Sequence, residues 1–352
     1  MGVTGYEMAT TIKDIAKVCG VGVSTVSRAI NGHPDINPAT REKIMKVVEE
    51  TGFVPNASAR SLKQSESNNV ALIVKGIANP FFTRMIHVLE DSIEKKGCAT
   101  ILRHVASDQD EVHVAAGLAA ERKLKGIIFL GGNFTHDGTQ LKNLGVPYVF
   151  STIGMDSDGK DPVIANVSVD DVEAAKMATS YLLDSGHRRI GLIAEGIDVP
   201  SVGQLRYRGY CEAFREHGLE IDHRLITQVS EGEEHYTMEN GYKAAKKLLR
   251  TVPDLSAIFC FSDVLAMGAC RAITDHGKKI PEDVSVVGFD GIEDAKYFIP
   301  RLTTIRQPVD EIARETIDML FGMIDGKTPG RRVLMQAQLV LGESTANGPF
   351  RH

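Results

Sequence analysis

Val23, Ser24, Ser27 and Arg28 recur at helical spacing near the start of the chain. Small polar groups and one guanidinium on a short helix suit a major groove ~12 Å wide, where arginine pairs bidentately with guanine or reaches a phosphate. The solvated face of a small helical domain has the same periodicity. A second chemical candidate is Asp290, which follows the apolar run Val284–Phe289. A carboxylate at a strand end accepts hydrogen bonds from hydroxyls or an amide. Patterns for catalysis are missing: there is no nucleophile elbow, metal-ligand spacing or phosphate loop, and the histidines are scattered. The sequence therefore predicts neither an enzyme nor a bound metal or cofactor. Gly20-Val21-Gly22-Val23-Ser24 imitates the start of a dinucleotide-binding glycine motif, but it follows a helix and has Thr25 where the third glycine belongs.

The elements that must hold the first group are short helices. Thr11 and Asp14 have capping-box spacing, and Ile12, Ile15, Ala16 and Cys19 form one apolar stripe that ends at Gly20. A second helix turns Val26, Ala29 and Ile30 inward and stops at Asn31-Gly32. Asn37 and Pro38 open a third, with Ile44, Val47 and Val48 on its apolar face and Gly52 as its stop. Two helices joined by a glycine turn and braced by a third make a helix-turn-helix.

From Val70 the pattern changes. Val70–Lys75, Ala99–His104, Gly126–Gly131, Tyr148–Ser151, Ile190–Ala194, Ala257–Phe261 and Val284–Phe289 read as buried strands. Helical stretches lie between them, at Phe82–Lys96, Glu111–Lys123, Val172–Ser185, Leu205–Glu216, Met238–Arg250 and Val264–His276. This alternation predicts parallel sheets with right-handed crossovers, and the length predicts two lobes with a ligand cleft at their strand ends. The fold class expected is an all-α helix-turn-helix head on a two-lobed α/β core.

Composition constrains the partners. The 352 residues carry a formal charge of −6, but residues 1–64 hold 8 basic and 6 acidic side chains, which leaves −8 on the remainder. Phosphate contact therefore falls to the head. Five scattered cysteines without a C-x-x-C read as reduced thiols, and no apolar run reaches the ~18 residues of a membrane span. With no signal-peptide pattern at Met1–Thr10, a cytoplasmic protein is expected, and Met1–Glu7 reads as an extension ahead of the fold.

The runs Thr11–Ala16, Val23–Gly32, Gly52–Asn56 and Ala59–Leu62 resemble, in order, spacing and identity, the head and hinge of the lactose-repressor (LacI/GalR) family. The resemblance continues through Asn79–Phe82, Gly186–Ile190, Arg206–Tyr210, Val287–Asp290 and Leu302–Pro308 to Ala346, over a core shared with periplasmic sugar-binding proteins. It implies base reading by Val23, Ser24 and Arg28. Phosphate contacts are implied at Thr11, Ser27, Asn31, Asn37, Thr40 and Asn56. A hinge helix from Asn56 to Lys63, carrying Ala59 and Arg60, would place Leu62 as a minor-groove wedge. Gly22 departs from the family's usual serine cap. The domains implied are a head at 1–55, a hinge and linker at 56–67, a core at 68–346 and a tail at 347–352. Lobe 1 would take 68–168 and 306–334, and lobe 2 169–305 and 335–346, with chain crossings near Ser168–Asp170, Ile305–Pro308 and Val333–Ala337.

For the cleft, the resemblance implies effector contacts from Phe81, Phe82, Thr152, Arg206, Tyr236, Ser262 and Asp290. Phe81 and Phe82 also suit a helix core, Arg206 and Asp290 a structural ion pair, and His187 a structural bond. Ser262 and Thr152 replace an asparagine and an aspartate common among relatives. Gly291 replaces a second acidic residue, and Pro200 stands where the purine-responsive branch has a ligand arginine. A less charged cleft predicts a neutral sugar or glycoside. The function implied is a ligand-responsive regulator, in the repressor pattern, that binds palindromic operator DNA as a homodimer. Its tail is too short for a tetramerising heptad segment. The alternatives are a catabolite-control-type regulator with a protein co-effector, suggested by Ile127–Asn133, and a cytosolic sugar-binding protein with no DNA role.

Overall fold

The computed structural model describes residues 11–30, 33, 35–51, 68–106, 108–132, 138–154, 164–229 and 235–349. The chain forms two compact units, Met1–Ser67 and Asn68–His352.

In the first unit, α1 (Ile12–Cys19), α2 (Val23–Ile30) and α3 (Pro38–Thr51) enclose Ile15, Ala16, Cys19, Val26, Ala29 and Ile44. The capping box is present. Thr11 N donates to Asp14 Oδ2 at 2.9 Å, and Thr11 Oγ1 accepts from Asp14 N. Gly20 ends α1 at φ +66, which glycine adopts without steric cost. Asn37 Oδ1 accepts from Ala39 N at 2.9 Å to start α3, and Lys43 Nζ donates to the Cys19 carbonyl at 3.1 Å, tying α3 to the end of α1.

The second unit contains two six-stranded sheets. In chain order its elements are β1 (Asn69–Lys75), α4 (Pro80–Lys95), β2 (Ala99–Val105), α5 (Glu111–Glu121), β3 (Leu124–Leu130), α6 (Gly138–Lys142), β4 (Tyr148–Ser151) and β5 (Asn166–Val169). Then come α7 (Asp171–Asp184), β6 (Ile190–Ala194), α8 (Val202–Glu216), β7 (Ile226–Gln228), α9 (Met238–Thr251), β8 (Ala257–Cys260) and α10 (Asp263–Asp275). The last are β9 (Ser285–Asp290), α11 (Asp294–Tyr297), β10 (Thr303–Arg306), α12 (Val309–Ile324), β11 (Arg332–Met335) and β12 (Gln338–Val340). The sheet orders are β11-β5-β4-β3-β1-β2 and β12-β10-β9-β8-β6-β7. All described pairings are parallel except the antiparallel β10–β12 pair.

The seven apolar runs read from sequence all form strands. The chain passes between the sheets after Val169, after Arg306 and between Met335 and Gln338. Strand order reverses between β1 and β3 in the first sheet and between β6 and β8 in the second. Such reversal points splay the connecting loops apart and leave a crevice beyond the strand carboxyl ends. Loops after β1 and β3 and the loop after β6 meet around one cavity.

Candidate functional site

On α2 the predicted outward face is outward. Val23, Ser24 and Arg28 are exposed and Ser27 is half-buried. Arg28 is not an isolated cation, however. Its Nη1 lies 2.8 Å from Asp35 Oδ2, and His33 Nδ1 lies 2.9 Å from Asp35 Oδ1. Both Arg28 and Asp35 remain about half exposed, a setting in which a pair contributes ~0–1 kcal/mol, so a phosphate or guanine can displace it. Thr11 and Asn37 have capping roles, and Thr40 sits half-buried in the first turn of α3. Asn31, Asn56, Ala59, Arg60 and Leu62 lie outside the described residues.

The core cavity has a volume of about 310 Å³ and is walled by residues from both sheets' strand ends. Asp290, at the end of β9, is buried. Asn79 Nδ2 donates to its Oδ2 at 2.8 Å, and Gln307 Nε2 donates to its Oδ1 at 2.9 Å. Asn79 Oδ1 meanwhile caps α4, accepting from Phe81 N at 3.1 Å, so one amide both starts a helix and joins the two lobes. Burial pushes the Asp290 carboxyl up to about 6, against the pull of Arg206 and the two amide donors. Each carboxylate oxygen retains room for a further hydrogen bond.

Arg206 was expected to suit an ion pair with Asp290, but the structure gives it a different partner. Its Nε donates to Asp171 Oδ1 at 2.9 Å, its Nη1 to the Phe261 carbonyl at 2.6 Å, and its guanidinium lies 3.7 Å from the centroid of the Phe289 ring. Burial alone would lower its pKa; the Asp171 and Asp290 charges outweigh that and keep it charged. The other long cation of the wall, Lys75, donates to the Gln109 carbonyl at 2.8 Å and to Glu111 Oε2 at 3.1 Å.

Backbone strain concentrates at the same place. Among the described residues, Thr152 (φ 66) and Asp290 (φ 109) are the non-glycine residues with positive φ, and both line the cavity. Such conformations cost of order 1–3 kcal/mol and cluster at ligand sites. Gly291 (φ +72) follows Asp290, and a Cβ there would come 2.7 Å from the Arg306 Cα, which explains why no acidic residue occupies it.

Six predicted effector residues, Phe81, Phe82, Thr152, Arg206, Tyr236 and Asp290, line the cavity. Phe81 and Phe82 pack edge to face at 5.4 Å and also belong to the hydrophobic core. The Thr152 hydroxyl donates to the Ser151 carbonyl and accepts from Gly131 N. The seventh, Ser262, is fully buried, is not in the wall, and accepts from Leu265 N at 3.2 Å as the cap of α10. Its oxygen serves the helix start, which removes it from the ligand surface. His187 is structural: Nδ1 meets Ser256 Oγ at 3.1 Å and Nε2 the Ala346 carbonyl at 3.0 Å. Asn79, Gln307, Glu195 and His235 were not among the candidates although they line the cavity. The rule that ligands gather after parallel strands would have selected Glu195, which directly follows β6.

A helix-turn-helix head followed by a core whose two parallel sheets enclose a polar cavity defines a class, the DNA-binding regulators with a built-in ligand domain. The descriptions "Bacterial regulatory proteins, lacI family" and "Periplasmic binding protein-like domain" match residues 11–56 and 179–345. The chain is 36% identical over 338 residues to the HTH-type transcriptional regulator MalR of Clostridium butyricum, covering 96% of this chain and 99% of that protein. The solved complex of the transcriptional regulator CelR with cellobiose superposes with a TM-score of 0.70 at 30% identity, covering 95% and 99%. A lac repressor dimer bound to operator and an anti-inducer has the same fold, with a TM-score of 0.76 at 23% identity and coverage of 96% and 100%. The chain belongs to the LacI family of bacterial transcriptional regulators.

Proposed function

We propose that this regulator represses transcription by binding a near-palindromic operator as a homodimer, with affinity set by a neutral sugar or glycoside in the core cavity. The observation that carries this reading is the cavity's polar set: Asn79, Gln307, Asp290 and Arg206, each buried, surround about 310 Å³ between two lobes. That volume is at the lower end of the ~300–1,000 Å³ of small-ligand pockets. Among the described residues, the long cations of the wall, Arg206 and Lys75, are both engaged by carboxylates, which favours a neutral ligand. The sugar named in the CelR complex is of the same chemical kind.

Asn79 and Asp290 come from different lobes, so a ligand that bonds Asp290 acts on the bond between them. That gives the cleft a route to alter lobe closure and, through it, operator binding. Dimer formation is supported by a surface hollow where Ile299 and Met238, 91% and 55% exposed, lie with Tyr242, Met267 and Phe298 among charged residues such as Arg271 and Glu239. Among the described residues no helix is long and apolar enough to cross a membrane; with the DNA role, this supports a cytoplasmic site of action. A thermal-shift screen of the full chain against neutral sugars tests the proposal, since a ligand at 100 times its Kd adds ~2.7 kcal/mol of stability. A shift present in the native chain and lost in Asp290→Ala is expected; an equal shift in both would place the ligand elsewhere.

A further inference from the structure

Glu195 directly follows β6, at the reversal point of the second sheet, and its position is fixed from both sides. A Cβ on Gly203 would lie 1.7 Å from the Glu195 carbonyl oxygen, so that glycine lets the first turn of α8 press against it. Ser201 completes the buckle: its hydroxyl donates to the Gly196 carbonyl at 2.7 Å and accepts from Gln204 N at 3.2 Å. The residues ahead of α9 hold the side chain. His235 Nδ1 lies 2.7 Å from Glu195 Oε1, and Tyr236 Oη donates to Oε2 at 3.2 Å. Burial, reinforced by the Glu195 charge, pushes the Tyr236 phenol well above its ordinary range, so it stays a donor.

This carboxylate is a second acceptor centre in the cavity. Tyr236, which donates to Glu195, also feels the charges of Arg206 and Asp290, and all four residues line the same cavity. Beyond Glu195 the wall continues with Asp198, whose Oδ2 accepts from Gln228 Nε2 at 2.7 Å. Glu195 and Asp198 thus add two held carboxylates to the wall, while Lys75 and Arg206 are engaged by Glu111 and Asp171. We propose that Glu195, held by His235 and Tyr236, is a specificity subsite that bonds hydroxyl donors of a second sugar ring and excludes phosphorylated sugars. The effector class is then an uncharged disaccharide or glycoside with donors at both ends, bonding Asp290 and Glu195 in the one cavity.

This inference rests on the sugar reading of the cavity, and one titration series separates the two. Full-length protein, its Glu195→Gln variant, which keeps the side-chain shape but removes the charge, and Asp290→Ala are titrated calorimetrically with cellobiose, maltose, glucose and glucose 6-phosphate. The native chain is expected to bind a disaccharide and to ignore glucose 6-phosphate. Glu195→Gln should weaken the disaccharide about tenfold or more, the loss of a charge-assisted hydrogen bond, and weaken glucose much less. Asp290→Ala should lose every sugar. Equal disaccharide affinity in Glu195→Gln and the native chain, or tight binding of glucose 6-phosphate, overturns the subsite alone. Failure of all four probes on the native chain overturns the sugar reading and the subsite with it.

Discussion

The head and the core solve recognition in opposite ways. On α2 the side chains proposed to read DNA stand largely in water, and among the described residues Arg28 is held by a half-exposed pair with Asp35. In the core the polar side chains of the cavity are buried and cross-bonded, as Asp290 shows with two amide donors and φ 109. A groove edge arrives with its own charge and geometry, so adjustable side chains with weak internal bonds suffice. A small neutral molecule offers only a few hydroxyls, and its site must be assembled beforehand to discriminate.

Removing a partner should therefore have very different effects in the two regions. The largest is expected from Asp171→Ala, which leaves the buried Arg206 guanidinium uncompensated. Chemical denaturation should show a loss of about 3–5 kcal/mol; a loss below 1 kcal/mol would mean that the pair does not stabilise the core.

The second expected effect is a pH signature of Asp290. Its folded pKa of about 6 exceeds the 3.8 of the free side chain, so between these values the folded protein binds more protons than the unfolded one. This group's contribution is full below pH about 4 and is lost as pH rises to about 6, roughly 2–3 kcal/mol in all. Asp14, Glu239 and Asp325, whose carboxyls are held low by hydrogen-bonding partners, slope the other way. The signature is therefore read as the native stability minus that of Asp290→Asn across pH 4–7. A flat difference would remove the burial argument.

In the head, Arg28→Ala should weaken specific operator binding by about 1–3 kcal/mol, with a smaller effect on random duplex, and leave folding unchanged. Equal losses on both DNAs would make Arg28 a phosphate contact only. The smallest effect is expected from Asp35→Ala, within ~1 kcal/mol of native stability. A larger loss would show that the Arg28–Asp35 pair supports the head's fold and would erase the contrast drawn above.

The same contrast governs what could be read from sequence. The head was legible because its determinants are local: the Thr11–Asp14 box, the Gly20 stop and the Asn37 cap each join residues no more than four positions apart. Long buried strands announced themselves as apolar runs. The three- and four-residue strands β5, β7, β10, β11 and β12 did not: β5, β7 and β10 mix polar with apolar residues, and β11 alternates between exposed and half-buried positions.

The cleft was read in part. Asp290 was visible at the end of its strand, but Asn79 bonds it from 211 positions away, and Asp171 takes Arg206 from 35 away. Ser262 and Asn79 show why residue type alone misleads. Both follow a strand and cap the next helix. Asn79 has an amide left over to reach into the cavity, whereas Ser262 uses its oxygen on the helix. Glu195 was within reach of the strand-end rule, but the side chains that hold it, His235 and Tyr236, come 40 and 41 residues later.

The central claim is that occupation of the core cavity sets operator affinity. It is tested most directly by fluorescence anisotropy of a labelled duplex selected by the full-length protein, titrated with and without a saturating neutral sugar that binds the native chain. The account predicts a change in Kd of about 5–150-fold for the native protein, the usual range of allosteric coupling, and none for Asp290→Ala. An unchanged Kd with the cavity occupied, or the same change in Asp290→Ala, would contradict it.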